Sequence, residues 1–150
     1  MRLNKLFAAL AAIVILISCG KKEDEPITPI NADFNGTVSV IFNGSPFDNE
    51  NIDVNFTPSE DGKTASITIY KIRFVPQMPV TIDVTIPNVN VTVTGEVMSL
   101  SKDQVVPLAM GGEYPRYTVT GLKGKIVGDE MSFSLNFGDY PTSFTGRKKI

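Results

Sequence analysis

Histidine and tryptophan are absent from this 150-residue chain, and cysteine occurs once, as Cys19. Without histidine, a Ser-His-Asp triad, a Cys-His pair and a zinc site of histidine and cysteine are all excluded. One cysteine has no partner for an intramolecular disulfide. A glycine-rich phosphate loop of the expected spacing is also missing. We therefore predict that the chain is not an enzyme and requires no cofactor.

The remaining polar candidates for chemistry are weak. Ser101 and Lys102 are adjacent, so in a strand their side chains point to opposite faces and do not form a catalytic pair. Asp48, Glu50 and Asp53 carry oxygen ligands of the kind that calcium prefers, but their spacing departs from a calcium loop. We predict a solvated turn there and no metal site. Two aspartates meeting across a barrel would suit glycoside hydrolysis, but the sequence singles out no pair.

Positive charge is also scarce. The formal net charge is −2, and the only basic cluster is Arg147-Lys148-Lys149 near the end of the chain. Because nucleic-acid binding needs a basic surface, we expect no nucleic-acid partner.

The N-terminus carries an export signal. Arg2 and Lys5 precede an uncharged apolar run over residues 6–17, which has the length of a signal-peptide core. The sequence Leu16-Ile17-Ser18-Cys19 then resembles the bacterial lipobox, after which the chain is cut before the cysteine and the cysteine is acylated. The resemblance implies a signal peptide at 1–18 and a membrane anchor, palmitate or a similar acyl chain, on Cys19. An unpaired exported thiol is consistent with that role.

A charged run follows the cysteine. Lys21-Lys22-Glu23-Asp24-Glu25 resembles the short export signal of surface-exposed lipoproteins of Bacteroidetes, although a solvated linker has the same composition. We predict an outer-membrane lipoprotein displayed on the cell surface. Residues 19–32 would form a lipidated tether, with Pro26 and Pro29 favouring an extended chain.

The rest of the chain alternates with the period of a β-strand. Val38, Val40 and Phe42 share one parity before the Asn43-Gly44 turn, a strong hairpin signal. Similar segments recur about every eight to twelve residues to the end of the chain, without helical periodicity. We read Gly95 as a bend within a strand that continues to Val97.

One strand changes parity. Ala65, Ile67 and Ile69 occupy one face, whereas Tyr70 and Ile72 occupy the other. A period of two cannot shift without an extra residue, so we predict a β-bulge or a sharp coil of the strand at Ile69-Tyr70. The pattern as a whole predicts an all-β antiparallel barrel of eight to ten strands over residues 33–150, with a β-sandwich as the alternative.

Several segments resemble the calycin-like β-barrel domain of Bacteroidetes lipoproteins. They are Phe34–Val40 with Asn43-Gly44, Tyr117–Leu122, Gly124–Ile126, Met131–Phe137 and Phe144–Gly146. The resemblance spans about residues 33–149. It implies a barrel related in shape to lipocalins and avidins, and it brings neither a catalytic residue nor an established ligand.

Apolar residues in the connections are the candidate ligand-binding side chains: Met78, Leu108, Met110, Tyr114 and Tyr140. If they gather at one barrel end, they would line a mouth for an apolar molecule or a glycan. The alternative is that they plug that end. We therefore predict a lipid-anchored cell-envelope binding protein, and as the alternative a structural or adhesion lipoprotein that acts through protein contacts. Alternation is compatible with a packed or a hollow interior.

Overall fold

The computed structural model describes residues 27–150. The predicted signal peptide, Cys19 and the charged run at 21–25 lie outside the described residues. Within the described part of the chain, no helix is long and apolar enough to span a membrane.

Ten β-strands and one short 3-10 turn, Pro115–Tyr117, account for most of these residues. The strands are Ala32–Phe42 (β1), Ser45–Pro58 (β2), Thr64–Ile72 (β3), Ile82–Thr94 (β4), Val97–Val105 (β5), Leu108–Ala109 (β6), Gly112–Glu113 (β7), Val119–Val127 (β8), Glu130–Phe137 (β9) and Tyr140–Lys148 (β10).

Eight of the strands close into an antiparallel barrel. Neighbours follow the order β3, β2, β1, β10, β9, β8, β5 and β4, and pairing of β3 with β4 closes the ring. The predicted all-β antiparallel barrel is confirmed, and the β-sandwich alternative is not adopted.

The two remaining strands extend one hairpin. β5 pairs with β8 up to Val105↔Val119, and β6 then resumes the pairing along β4, with Val84 opposite Ala109. β7 returns beside β6 after a turn at Met110-Gly111. The chain from β5 to β8 is therefore one long hairpin whose tip lies beside the start of β4.

The connections divide between two ends of the barrel. One end, called the base, carries the β2–β3, β4–β5 and β8–β9 turns. There, residues 27–31 lead into β1, and the backbone N–H of Ile27 donates to the carbonyl oxygen of Gly95 at 3.4 Å. The opposite end, called the cap end, carries the β1–β2 and β9–β10 turns and the connections 73–81 and 106–118.

Alternation along the strands fills the barrel interior. The inward rows form one continuous apolar cluster. Its largest fully buried side chains are Phe34, Phe56, Ile67, Ile69, Ile72, Phe74, Ile86, Leu100, Leu122, Met131, Phe137 and Phe144. Because these side chains come from all around the ring, their burial stabilises the closed barrel as a unit.

The predicted bulge in β3 is confirmed. Pairing between β3 and β4 shifts between Ile69 and Ile72, and Lys71 adopts a φ of 57°. The extra residue returns Ile72 and Phe74 to the interior. Tyr70, which the sequence pattern grouped with Ile72, is exposed instead, because alternation from the buried Ile69 turns it outward. The chain can therefore turn a corner without exposing its apolar row.

Three other local predictions were wrong. The solvated turn expected at residues 48–53 lies within β2 instead. Gly95, with a φ of 61°, lies in the turn that joins β4 to β5 and not within a strand, because pairing of Thr94 with Val97 folds the chain back there. The sequence also predicts one inward row for Val80, Ile82, Val84 and Ile86, but Val80 is 61% exposed because β4 begins only at Ile82.

Three glycines allow close packing of neighbouring backbones near the base. Gly36 lies opposite Gly146, and a Cβ on Gly36 would overlap the carbonyl oxygen of Thr145. A Cβ on Gly124 would overlap Phe133, which faces it on β9. A side chain therefore does not fit at these three glycine positions of β1, β8 and β10.

We expect Gly36→Ala to lower the free energy of unfolding by about 1–3 kcal/mol, because the obstructing atoms belong to the backbone and cannot move aside cheaply. Gly112→Ala is the matched control, since nothing lies within 4 Å of its added Cβ. Urea unfolding of both variants measures the difference. Equal stabilities would contradict the close packing of β1 against β10.

Candidate functional site

Aromatic side chains close the cap end. The Phe74 and Tyr117 rings stack with centroids 4.2 Å apart, and Phe137 meets Phe74 edge-on at 5.0 Å. Tyr114 stacks on Tyr117 at 5.1 Å, and Tyr140 lies 6.1 Å from Tyr117. Such ring pairs contribute beyond their buried area. These five rings are called the aromatic plug.

The connections around the plug hold it in place. The backbone N–H of Phe74 donates to the sulfur of Met78 at 3.2 Å, and the Arg73 side chain donates to the carbonyl oxygen of Met78 at 3.1 Å. The 3-10 turn at Pro115–Tyr117 sets Tyr114 and Tyr117 on one side. Loop 73–81 is thereby folded against the barrel end.

The five candidate ligand-binding residues divide between two places. Met78, Tyr114 and Tyr140 are half-buried and pack against the core at the cap end, and the two tyrosines belong to the plug. Leu108 and Met110 are 40% and 67% exposed on the outer wall. The structure therefore does not bring all five residues together. Met78, Tyr114 and Tyr140 help to plug the barrel end, which was the alternative to a ligand-binding mouth.

Leu108 and Met110 border a groove on the outer wall, called the hairpin groove, with a volume of ≈ 820 Å³. Its lining residues are Lys71, Thr81, Ile82, Asp83, Thr85, Leu108, Ala109, Met110, Gly111 and Gly112. Met110 has a φ of 51°, a conformation that a residue with a Cβ adopts at a cost. The groove therefore combines an exposed apolar rim with local backbone strain.

A second surface arises from a repeated motif. The sequences Asn31-Ala-Asp33-Phe-Asn35 and Asn51-Ile-Asp53-Val-Asn55 share the pattern Asn-x-Asp-x-Asn. They lie antiparallel at the start of β1 and on β2, in a register that sets Asp33 opposite Asn55 and Asn35 opposite Asp53. Their polar side chains share the outer wall, and these six residues are called the polar array.

Hydrogen bonds across the strands order the polar array. The amide nitrogen of Asn35 donates to the side-chain oxygens of Asn51 and Asp53, both at 2.9 Å. The amide nitrogen of Asn55 donates to the side-chain oxygens of Asn31 at 3.0 Å and Asp33 at 2.7 Å. The two halves of the array therefore use the same bonding pattern in opposite directions.

Asp53 is the best-partnered carboxylate of the array. The hydrogen bond from Asn35 lowers the pKa of Asp53 below its ordinary value of 3.8, and Lys149 adds a hydrogen bond and an attractive charge that lower this pKa further. The ammonium of Lys149 lies 3.3 Å from the Asp53 carboxylate. Asp53 is therefore ionised at neutral pH.

A groove of ≈ 550 Å³, called the polar groove, separates the array from the β3 bulge. It is lined by Asp33, Asn51, Asp53, Tyr70, Lys71 and Lys149. This site was not predicted from the sequence, although the repeat of Asn-x-Asp-x-Asn twenty residues apart is a usable signal. Among residues 27–150, no three metal-ligating side chains form a cluster.

Comparison with known proteins identifies no relative. No family model, no curated protein and no solved structure matches this chain. Its function is therefore argued from its residues and their geometry.

We expect the aromatic plug to make stability sensitive to alkali through Tyr117. Burial raises the pKa of the Tyr117 phenol above its ordinary 10.0. A raised folded-state pKa means that stability is fully present below the unfolded-state value and is lost as the pH rises above it. Tyr117→Phe should therefore lose less stability than the wild type between pH values of about 8 and about 11.

Urea unfolding at both pH values measures this difference. Tyr70→Phe is the control for the loss of one tyrosine hydroxyl, because the Tyr70 ring is exposed outside the plug. If Tyr117→Phe had the same slope as the wild type, the Tyr117 hydroxyl would not be buried in the plug.

Proposed function

We propose that this protein is a lipid-anchored, non-catalytic binding protein of the cell envelope that acts through the outer wall of a solid barrel. The observation that carries the proposal is the interior, where one apolar cluster extends through the ring and meets the aromatic plug. A small barrel filled by its own side chains has little room for a guest molecule. Binding is then a property of the grooves on its outside.

The anchor completes the proposal. The lipobox-like sequence ending at Cys19 lies only eight residues before Ile27, where the described structure reaches the base. Lipidation at Cys19 would hold the base toward the membrane and turn the cap end outward. An acyl anchor binds a membrane through about 0.8 kcal/mol per buried methylene group. We also propose that the protein is related to the calycin-like lipoproteins. The closed antiparallel barrel supports this relationship.

Metabolic labelling with an alkyne analogue of palmitate tests the anchor. The wild type should carry the label and sediment with outer membranes, whereas Cys19→Ala should lose both properties. Ile17→Val, at the variable lipobox position, is the matched control and should be labelled normally. A label that persists in Cys19→Ala would contradict lipidation at this residue.

The same membrane preparation tests the solid interior. Mass spectrometry of the purified native protein, before and after denaturation, should detect no apolar small molecule in stoichiometric amount. Release of one apolar molecule per chain would overturn binding by the outer wall alone and favour carriage inside the barrel.

The hairpin groove supports a second candidate function, adhesion to an envelope protein. Leu108 and Met110 expose apolar surface at the tip of the long hairpin, where Met110 also occupies a left-handed conformation. Asparagine or glycine would fit this conformation better, so Met110 presents its side chain at a backbone cost. Exposed apolar side chains beside a groove are typical of protein contact sites.

Photo-crosslinking on intact cells tests this candidate. A photoreactive residue in place of Thr81, which lines the groove, should give an adduct with a protein, and the additional change Met110→Asn should abolish it. Asparagine tolerates the left-handed backbone, so the melting temperature should stay the same or rise. The control position is Ile41, which is 37% exposed on β1. Equal adducts at both positions would argue against specific adhesion.

A further inference from the structure

Two β-bulges aim side chains into the polar groove. The register of β1 with β2 shifts between Gly36 and Val38, and across from this shift Asn51 has a φ of 57°. The bulge in β3 gives Lys71 the same φ of 57°. Both residues line the groove. Bulges commonly redirect side chains beside binding sites, and here two of them converge on one groove.

An aromatic ring lies beside the β3 bulge. Alternation from the buried Ile69 turns Tyr70 outward. Tyr70 is 39% exposed and lines the groove. An exposed ring offers a flat apolar face beside polar groups, which suits a ligand whose own faces differ in polarity.

The polar wall of the groove is ordered before any ligand arrives. Asn35 holds the side chains of Asn51 and Asp53 through both of its amide hydrogens, and Lys149 holds the other oxygen of Asp53. Side chains that are already ordered lose little entropy on binding. Planar amide and carboxylate groups can then bond to hydroxyl groups in fixed directions.

Charge in the groove is balanced. Two carboxylates, Asp33 and Asp53, face two ammonium groups, Lys71 and Lys149. The groove therefore has no net charge to attract a strongly acidic or basic ligand. Its volume of ≈ 550 Å³ lies within the range of about 300–1,000 Å³ that is typical of small-ligand sites.

We propose that the polar groove binds a neutral oligosaccharide. One sugar ring stacks its C–H face on Tyr70, and its hydroxyl groups bond to Asn51, Asp53 and Lys71. This inference names the ligand class for the outer-wall binding proposed above, and rests on that proposal. It assigns a role to the polar array and to the exposed tyrosine, neither of which the packing of the core requires.

Binding to a defined panel of sugars tests the inference. The full-length lipidated protein is kept in a polyoxyethylene detergent, because detergents with sugar headgroups would compete. The probes are maltoheptaose, cellohexaose, xylohexaose and mannohexaose, with an oligogalacturonate as the anionic comparison, and calorimetry gives the affinities. At least one neutral probe should bind, and the oligogalacturonate should bind at least tenfold more weakly.

Variants then locate the site. Tyr70→Ala should weaken binding at least tenfold, whereas Tyr70→Phe keeps the ring and should stay within twofold of the wild type. Asn51→Gly accommodates the positive φ while removing the amide, so it should fold and still lose at least fivefold in affinity. Ile41→Ala, on another part of the outer wall, is the control and should bind normally.

Several results would overturn the inference: no binding of any neutral probe, preference for the anionic probe, or binding that both Tyr70→Ala and Asn51→Gly leave unchanged. The palmitate label on Cys19, the mass spectrum of the native protein and the Thr81 crosslink do not involve this groove. Failure of sugar binding alone would therefore reject the oligosaccharide and leave outer-wall binding intact.

Discussion

Closure of the ring is the constraint on which the rest of the structure depends. Once β3 pairs with β4, each strand of the barrel has a neighbour on both sides and one face turned to a shared interior. Eight strands enclose a space that side chains of ordinary size can fill. Neighbouring strands must also coil around this space, and the glycines at Gly36, Gly124 and Gly146 allow the backbones to approach. Register shifts in the β1–β2, β3–β4 and β8–β9 pairings provide the corners.

A filled interior leaves the outer wall as the accessible surface of the barrel. Tyr114 and Tyr140, which the sequence suggested as part of a ligand-binding mouth, pack against Tyr117 at the cap end. Their apolar surface therefore helps to close the barrel. What remains accessible is the outer wall, where the bulged strands leave two grooves that meet at Lys71. The same corners that close the ring therefore also shape the surfaces proposed for binding.

Alternation in the sequence predicted most of the fold, because a half-buried strand repeats every two residues. The switch of parity at Ile69-Tyr70 even located the β3 bulge. Gly95 was misread because a glycine in a turn and a glycine in a bent strand look alike until pairing is known. The split of the candidate residues was not predictable either. Tyr114 and Met110 are four residues apart in one connection, but only the register of β6 on β4 sends one to the plug and the other to the outer wall.

The polar array also affects the register in which β1 pairs with β2. A slip of one residue between them would turn apolar side chains outward, but a slip of two would keep the inside and outside faces unchanged. In the observed register each aspartate lies opposite an asparagine. A two-residue slip in one direction would set Asp33 opposite Asp53, and like charges facing each other across strands are unfavourable. The polar array thus favours the observed register of β1 and β2. It disfavours a two-residue slip that burial of the apolar side chains alone would permit.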